Sequence, residues 1–258
     1  MFFSESCIAV DARSSDHLDD FAVAFGLCVS FWAMCYVITN DAFPMRPKKG
    51  GRIVPRRWVV PKRTDEYASR IMSTLHAVAS TGLCGWAVYR HMLLGNDLSA
   101  QPATCVDAVI LAVSVGYFAV DFVGIIVGSY YDFTYLMHHF WTITGILIVV
   151  FRDQLGFHMV ALVMWMELSN PAMHLRWLLQ EDGKDHIADW RMRFLSWNFL
   201  VLFGFARFVA GPYLWLVSMG VDDYPWVNKA IGFIMFVVSA NVWIKAIRGQ
   251  FRGESWVC

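Results

Sequence analysis

Apolar residues in this chain run in blocks of about 20, the length a helix needs to cross the roughly 30 Å hydrocarbon core of a bilayer. About seven blocks stand near 20–39, 66–89, 105–127, 131–151, 155–179, 194–218 and 226–247. The third to fifth are joined by very short links, around Gly128-Ser129-Tyr130 and Arg152-Asp153-Gln154. Those neighbours must therefore form antiparallel hairpins packed side by side. The pattern predicts an all-α fold, a polytopic transmembrane helix bundle without a second body. Residues 1–64 would hold an N-terminal segment, a first membrane helix and a loop, 65–250 the main bundle, and 251–258 a short tail.

Polar positions inside these blocks are ordered. Ser69, Ser73, His76 and Ser80 recur at steps of four, three and four, so they share one helix face. Ser114, Tyr117 and Asp121 share a face in the third block, continued by Gly124 and Gly128, a GxxxG pair that favours close helix approach. The fourth block carries His138, His139 and Thr142, and adjacent residues on a helix point about 100° apart, so one histidine is expected to face an interior cavity while the other packs or orients it. In the fifth, Glu167, Asn170 and His174 align beside Pro171, which removes a backbone hydrogen bond. The sixth has Gly204, Arg207 and Gly211 on a stripe. An ionisable group at membrane depth costs about 2.5–3.5 kcal/mol on insertion scales, so each needs a partner, a cavity or a function. Ser69, Ser80 and Ser114 are expected to bond back to their own helices, and Arg207 to neutralise Glu167 or Asp121. Five successive stripes facing inward would enclose a polar cavity suited to a lipid headgroup.

Composition agrees with the apolar solvent: hydrophobic residues make up 57%, charged residues 16%, and the mean hydropathy is +0.47, unlike a soluble domain. Lys+Arg and Asp+Glu are both 21, which removes any general electrostatic case for nucleic acid. The charges are unevenly placed. Arg46, Lys48, Lys49, Arg52, Arg56, Arg57, Lys62 and Arg63 lie between the first two blocks with no intervening acid, so the positive-inside rule makes that loop cytosolic. Pro44, Pro47, Pro55 and Pro61 oppose an amphipathic lipid-binding helix there. The acidic N-terminus, with Glu5, Asp11, Asp16, Asp19 and Asp20 against Arg13, lacks the basic start of a signal peptide, so the first block is expected to be retained. Cys7, Cys28, Cys35, Cys84, Cys105 and Cys258 show no metal-type spacing and read as small core residues; no metal site is expected. Neither a Gly-rich phosphate loop nor an HExxH or GxSxG motif is present.

From about Arg70 to Ile247 the chain resembles the TLC-domain family, which includes the ceramide synthases and translocating-chain-associated membrane proteins. The resemblance rests on Ser73-x-x-His76-Ala77, Gly116-Tyr117-Phe118-Ala119-Val120-Asp121, His138-His139-x-x-Thr142, and Glu167-x-Ser169-x-Pro171 followed by Arg176-Trp177. It implies a bundle in which the last six helices surround a lipid-accessible cavity, usually in the endoplasmic reticulum, with the mitochondrial inner membrane as the alternative. In the ceramide synthases a histidine pair is implicated in acyl transfer from acyl-CoA. Carried over, His138 and His139 take that position, with Asp121 and Glu167 as orienting acids and His76, Tyr117, Thr142, Asn170, His174 and Arg207 as lipid-binding residues. The ExSxP form resembles the branch linked to membrane lipid composition more than the ceramide synthases themselves. No cofactor is implied beyond acyl-CoA as co-substrate, and membrane lipids and membrane proteins are the implied partners.

The resemblance points to a protein of lipid homeostasis, either an acyltransferase or a non-catalytic lipid binder. A structural or assembly subunit that keeps the fold is the alternative of another class. A retinal photoreceptor through Lys245 and a di-metal oxygenase are weaker readings, the first because Lys245 lies where snorkelling explains it, the second because paired HxxH spacings are missing. On the topology above, 40–64 and 248–258 face the same compartment. Protease treatment of sealed vesicles should cleave both segments or protect both; protection of one alone would mean a miscounted span.

Overall fold

The computed structural model describes residues 17–42, 62–98, 102–127, 133–181 and 190–252. Among them are nine α-helices: α1 (His17–Ala42), α2 (Lys62–Leu93), α3 (Cys105–Val127), α4 (Phe133–Arg152), α5 (Gly156–Glu167), α6 (Asn170–Glu181), α7 (Trp190–Phe205), α8 (Gly211–Met219) and α9 (Trp226–Arg252). A π-helical turn, Ala206–Ala210, joins α7 to α8 without a break. Most of the basic loop, the link Gly128-Ser129-Tyr130, Lys184, the tail beyond Arg252 and the acidic residues before His17 lie outside the described residues.

Six helical stretches are long and apolar enough to cross a membrane, Leu18–Asn40, Glu66–Leu93, Cys105–Val127, Phe133–Arg152, Trp190–Met219 and Trp226–Gln250. The fifth predicted span is divided. Pro171 has no N–H to offer the Glu167 carbonyl, and the helix is interrupted at Leu168-Ser169. The halves still act as one traverse. Phe157 at the start of α5 stacks on His91 at the end of α2, with ring centroids 4.4 Å apart, while His174 in α6 lies 3.4 Å from Arg70 near the other end of α2. The 21 residues from Arg70 to His91 rise roughly 32 Å, a full hydrocarbon core.

Burial is inverted relative to a soluble bundle. Val23, Leu27, Phe31, Met34, Val37 and Ile38 are exposed along one side of α1, a stripe that suits lipid rather than water. The other side of α1 packs on α3, where Gly116 allows close contact: a Cβ there would lie 2.8 Å from Cys28 Cβ. Gly116, rather than the Gly124-Gly128 pair, marks this helix crossing; Gly128 is outside the described residues.

Short polar devices hold the helix ends. Thr104 and Asp107 form a capping box at α3, with the Asp107 N–H donating to Thr104 Oγ1 at 3.1 Å and the Thr104 N–H to Asp107 Oδ2 at 3.0 Å. His91 Nε2 sits 3.0 Å from both Asp107 oxygens, while Asn96 donates to its Nδ1 at 2.8 Å. Nδ1 is thereby the acceptor and Nε2–H the donor, which ties α2 to α3. Cys105 in the same region is disulfide-bonded, so it is not the plain core residue expected; Cys28, Cys35 and Cys84 are free.

Asp153 and Leu155, both with positive φ (51° and 55°), turn the chain from α4 into α5, and the Asp153 carboxylate accepts from the Ala103 N–H at 3.1 Å. A Cβ on Gly156 would lie 2.2 Å from Ala103 Cα. Gly156→Val should therefore lower the stability of the solubilised protein by about 1–3 kcal/mol. Gly82→Ala, with nothing within 4 Å of the added atom, should be neutral or stabilising by up to about 1 kcal/mol. Thermal midpoints in detergent compare the two.

Candidate functional site

Where α2, α3 and α4 meet, the polar stripes join in a packed cluster. Asp121 Oδ1 accepts from Ser69 Oγ at 2.7 Å, and Asp121 Oδ2 lies 2.9 Å from His139 Nε2. His139 Nδ1–H donates to the Tyr135 carbonyl at 2.7 Å. A carbonyl can only accept, so Nδ1 carries a hydrogen and the proton between Nε2 and the carboxylate is shared by those two groups alone. Neither nitrogen of His139 is free to act on a ligand. Beside it the His76 ring stacks on Tyr117, 3.9 Å between centroids, with Trp32 and Phe118 against its edges. Ser73 Oγ and the Tyr117 hydroxyl are 2.6 Å apart.

His138, one residue along α4, points elsewhere. It borders a cavity of about 280 Å³ between α4, α5, α8 and α9, together with Thr142, Glu167 and Arg207. Glu167 accepts from Asn170 Nδ2 at 2.9 Å and lies 3.6 Å from His76 Nδ1, beyond hydrogen-bond range. Arg207 is 8% exposed and sits in the π-helical turn. Its guanidinium donates to the Met166 carbonyl at 3.2 Å, touches the Met166 sulfur and lies over the Phe203 ring. No ion pair joins it to Glu167 or Asp121 among the described residues, contrary to the expectation from sequence. At the far end of the cavity stand His158, Ser218, Tyr224 and Asn228. His158 Nε2–H donates to the Leu214 carbonyl at 2.7 Å, and Asn228 Nδ2 to the Tyr224 hydroxyl at 2.9 Å. Tyr224 lies in the turn between α8 and α9, where burial raises its phenol above the ordinary value. The rest of the wall is mostly apolar, including Phe118, Ile146, Leu162, Val163, Ile231 and Phe236.

The family model for the TLC domain matches residues 66–245. The chain belongs to the TLC-domain family. No solved structure matches it. Of the residues singled out from sequence, His138, Thr142, Glu167 and Arg207 border the TLC-domain cavity, although the Thr142 hydroxyl is used on the His138 carbonyl at 2.8 Å. His76, Tyr117, Asp121 and His139 form the packed cluster beside it. Asn170 serves Glu167, and His174 meets Arg70.

Several expectations shift. Ser69 bonds Asp121, and Ser80 bonds Ser114 across helices at 3.0 Å, so these serines link helices rather than bonding back. Arg70 was not singled out from sequence as a site residue. It is buried, lies over the Tyr135 and Trp177 rings, donates to the Tyr135 hydroxyl at 2.9 Å and pairs with Glu66 at 3.2 Å. Its i,i+4 relation to Glu66 was the available signal. His158 and Asn228 were missed because in each case the residues three and four positions further along the helix, Ala161 and Leu162 or Ile231 and Gly232, are not polar, so no stripe marks them. Lys245 is exposed and does not line this cavity.

The two adjacent histidines, His138 and His139, should part company on substitution. His139→Ala leaves the Asp121 carboxylate buried with Ser69 alone and should cost about 3–5 kcal/mol, as removal of one partner from a buried charged pair does. His138→Ala removes a side chain with no protein hydrogen bond among the described residues and should cost far less. Thermal unfolding in detergent distinguishes them; equal losses would contradict the assignment of distinct roles.

Proposed function

We propose that the protein binds a fatty acyl chain in the cavity between α4, α5, α8 and α9 and that His138 transfers the acyl group from acyl-CoA to a lipid acceptor. The reading rests on one observation: a histidine with no protein hydrogen bond stands on the wall of a largely apolar cavity, while its neighbour is fully engaged. At about 280 Å³ the cavity is at the lower edge of the roughly 300–1,000 Å³ typical of ligand sites, which favours a single chain over a two-chain lipid. A neutral imidazole has a lone pair at one nitrogen. It would either remove a proton from the acceptor hydroxyl or amine, or attack the thioester carbonyl itself. In the second route a C–N bond to the ring forms as the C–S bond breaks, the CoA thiolate leaves with the proton of the other ring nitrogen, and the acceptor then takes the acyl group while its own O–H or N–H proton restores that nitrogen. The TLC-domain membership supports a lipid-related role, and the resemblance favours the endoplasmic reticulum as the membrane.

The test is acyl-CoA consumption in membranes carrying wild-type protein or His138→Ala at equal expression, with sphingoid, lysophospholipid and glycerol acceptors. Turnover should fall on the order of 10²–10⁴-fold in the variant, as for loss of a general base. Equal turnover would reject transfer and leave a lipid-binding protein.

A further inference from the structure

Three residues on the wall of this one cavity each hold a buried polar atom without a hydrogen-bond partner: Arg207 at Nε, His158 at Nδ1 and Asn228 at Oδ1. They differ in kind. Arginine has only donors. Two of its five are used on Met166, and Nε–H is among those without an acceptor. His158 gives its ring hydrogen at Nε2 to Leu214, so its Nδ1 is a lone pair. Asn228 Oδ1 is likewise an acceptor. The cavity therefore has a cationic donor at one end and two acceptors at the other. Leu214, which holds His158, follows Arg207 by seven residues, a rise of roughly 10 Å along the helix. Asn228 precedes Phe236, which touches Phe208 beside Arg207, by eight residues, roughly 12 Å.

We propose that Arg207 receives an sp² oxygen of a fatty acyl group, from a free acid or from an ester or thioester, at the mid-membrane end of the cavity. The proposal rests on the reading that the cavity takes an acyl chain. Arg207 is more than nine-tenths buried, no ion pair among the described residues offsets its cost in an apolar medium, and its Nε–H has no acceptor there. An acyl oxygen is such an acceptor and would be repelled by the lone pairs of His158 and Asn228, so the chain has a direction. The carboxyl end lies with His138, Glu167 and Arg207, and the far end keeps its two acceptors for water or a hydroxyl. Glu167 on the same wall lowers the net positive charge there, which suits a polarised carbonyl as well as a carboxylate.

Binding of three labelled chains of equal length to the purified full-length protein in lipid nanodiscs tests this: hexadecanoic acid, its methyl ester and hexadecylamine. Wild-type protein should bind acid or ester about tenfold or more tightly than the amine, the worth of one charge-assisted hydrogen bond. Arg207→Gln should remove that preference while leaving amine binding equal or stronger, and Arg207→Lys should keep the preference for the acid. A response of acid alone identifies a carboxylate ligand; a matching response of the ester identifies an acyl carbonyl. Equal binding of all three chains to the wild-type protein overturns the role of Arg207 while the acyl-chain cavity stands, and this comparison needs no variant to fold. Failure of every chain to bind overturns both readings.

Discussion

A polar group inside a bilayer has no water to fall back on, and the shared proton between His139 and Asp121 is where this fold meets that constraint most directly. The contact joins α4 to α3, and Ser69 extends it to α2. Around it the Ser73–Tyr117 and Ser80–Ser114 contacts repeat the device at neighbouring levels. Helices in lipid gain little from burying apolar faces against one another, since the surrounding tails are equally apolar. Directional polar contacts such as these therefore do much to set which helix meets which, and they fix the rotation of α4. With His139 turned toward α3, the 100° step to the next residue carries His138 to the cavity.

The bundle was largely legible because the bilayer imposes one length on every crossing. Six of the spans read as hydrophobic blocks are continuous helical stretches in the structure, and the seventh differs only in being interrupted where Pro171 was noted. The polar stripes were legible too, since period 3.6 is a property of sequence alone. Depth and partner were not. Nothing in the spacing of Arg207 told whether its guanidinium would reach the Glu167 carboxylate or the backbone carbonyl of Met166, one residue earlier. The capping box at Thr104 and Asp107 needed only local sequence, but its link to His91 spans α2 and α3 and depends on tertiary packing.

The division between cluster and cavity also separates stability from chemistry. Within the cluster Ser69, Asp121 and His139 satisfy one another, and replacing one of them unbalances that network; His76, held there by ring stacking, keeps both ring nitrogens buried without a hydrogen-bond partner. Arg207, His158 and Asn228 on the cavity wall each keep a buried polar atom without a partner, which is an energetic burden in an apolar medium.

The π-helical turn at Ala206–Ala210 gives the penultimate span two independent faces. A five-residue closure takes in one residue more than an α-turn would, which advances the helix by roughly a quarter turn relative to an unbroken α-helix. Gly204 before it lies against Trp243, and Gly211 after it lies against Met166, so the two halves answer to different neighbours. Loss of a single residue from this turn would leave the span equally hydrophobic and equally helical, yet would swing everything from α8 to the end of its helix out of phase with the cavity. In this segment the number of residues, as much as their identity, carries structural information.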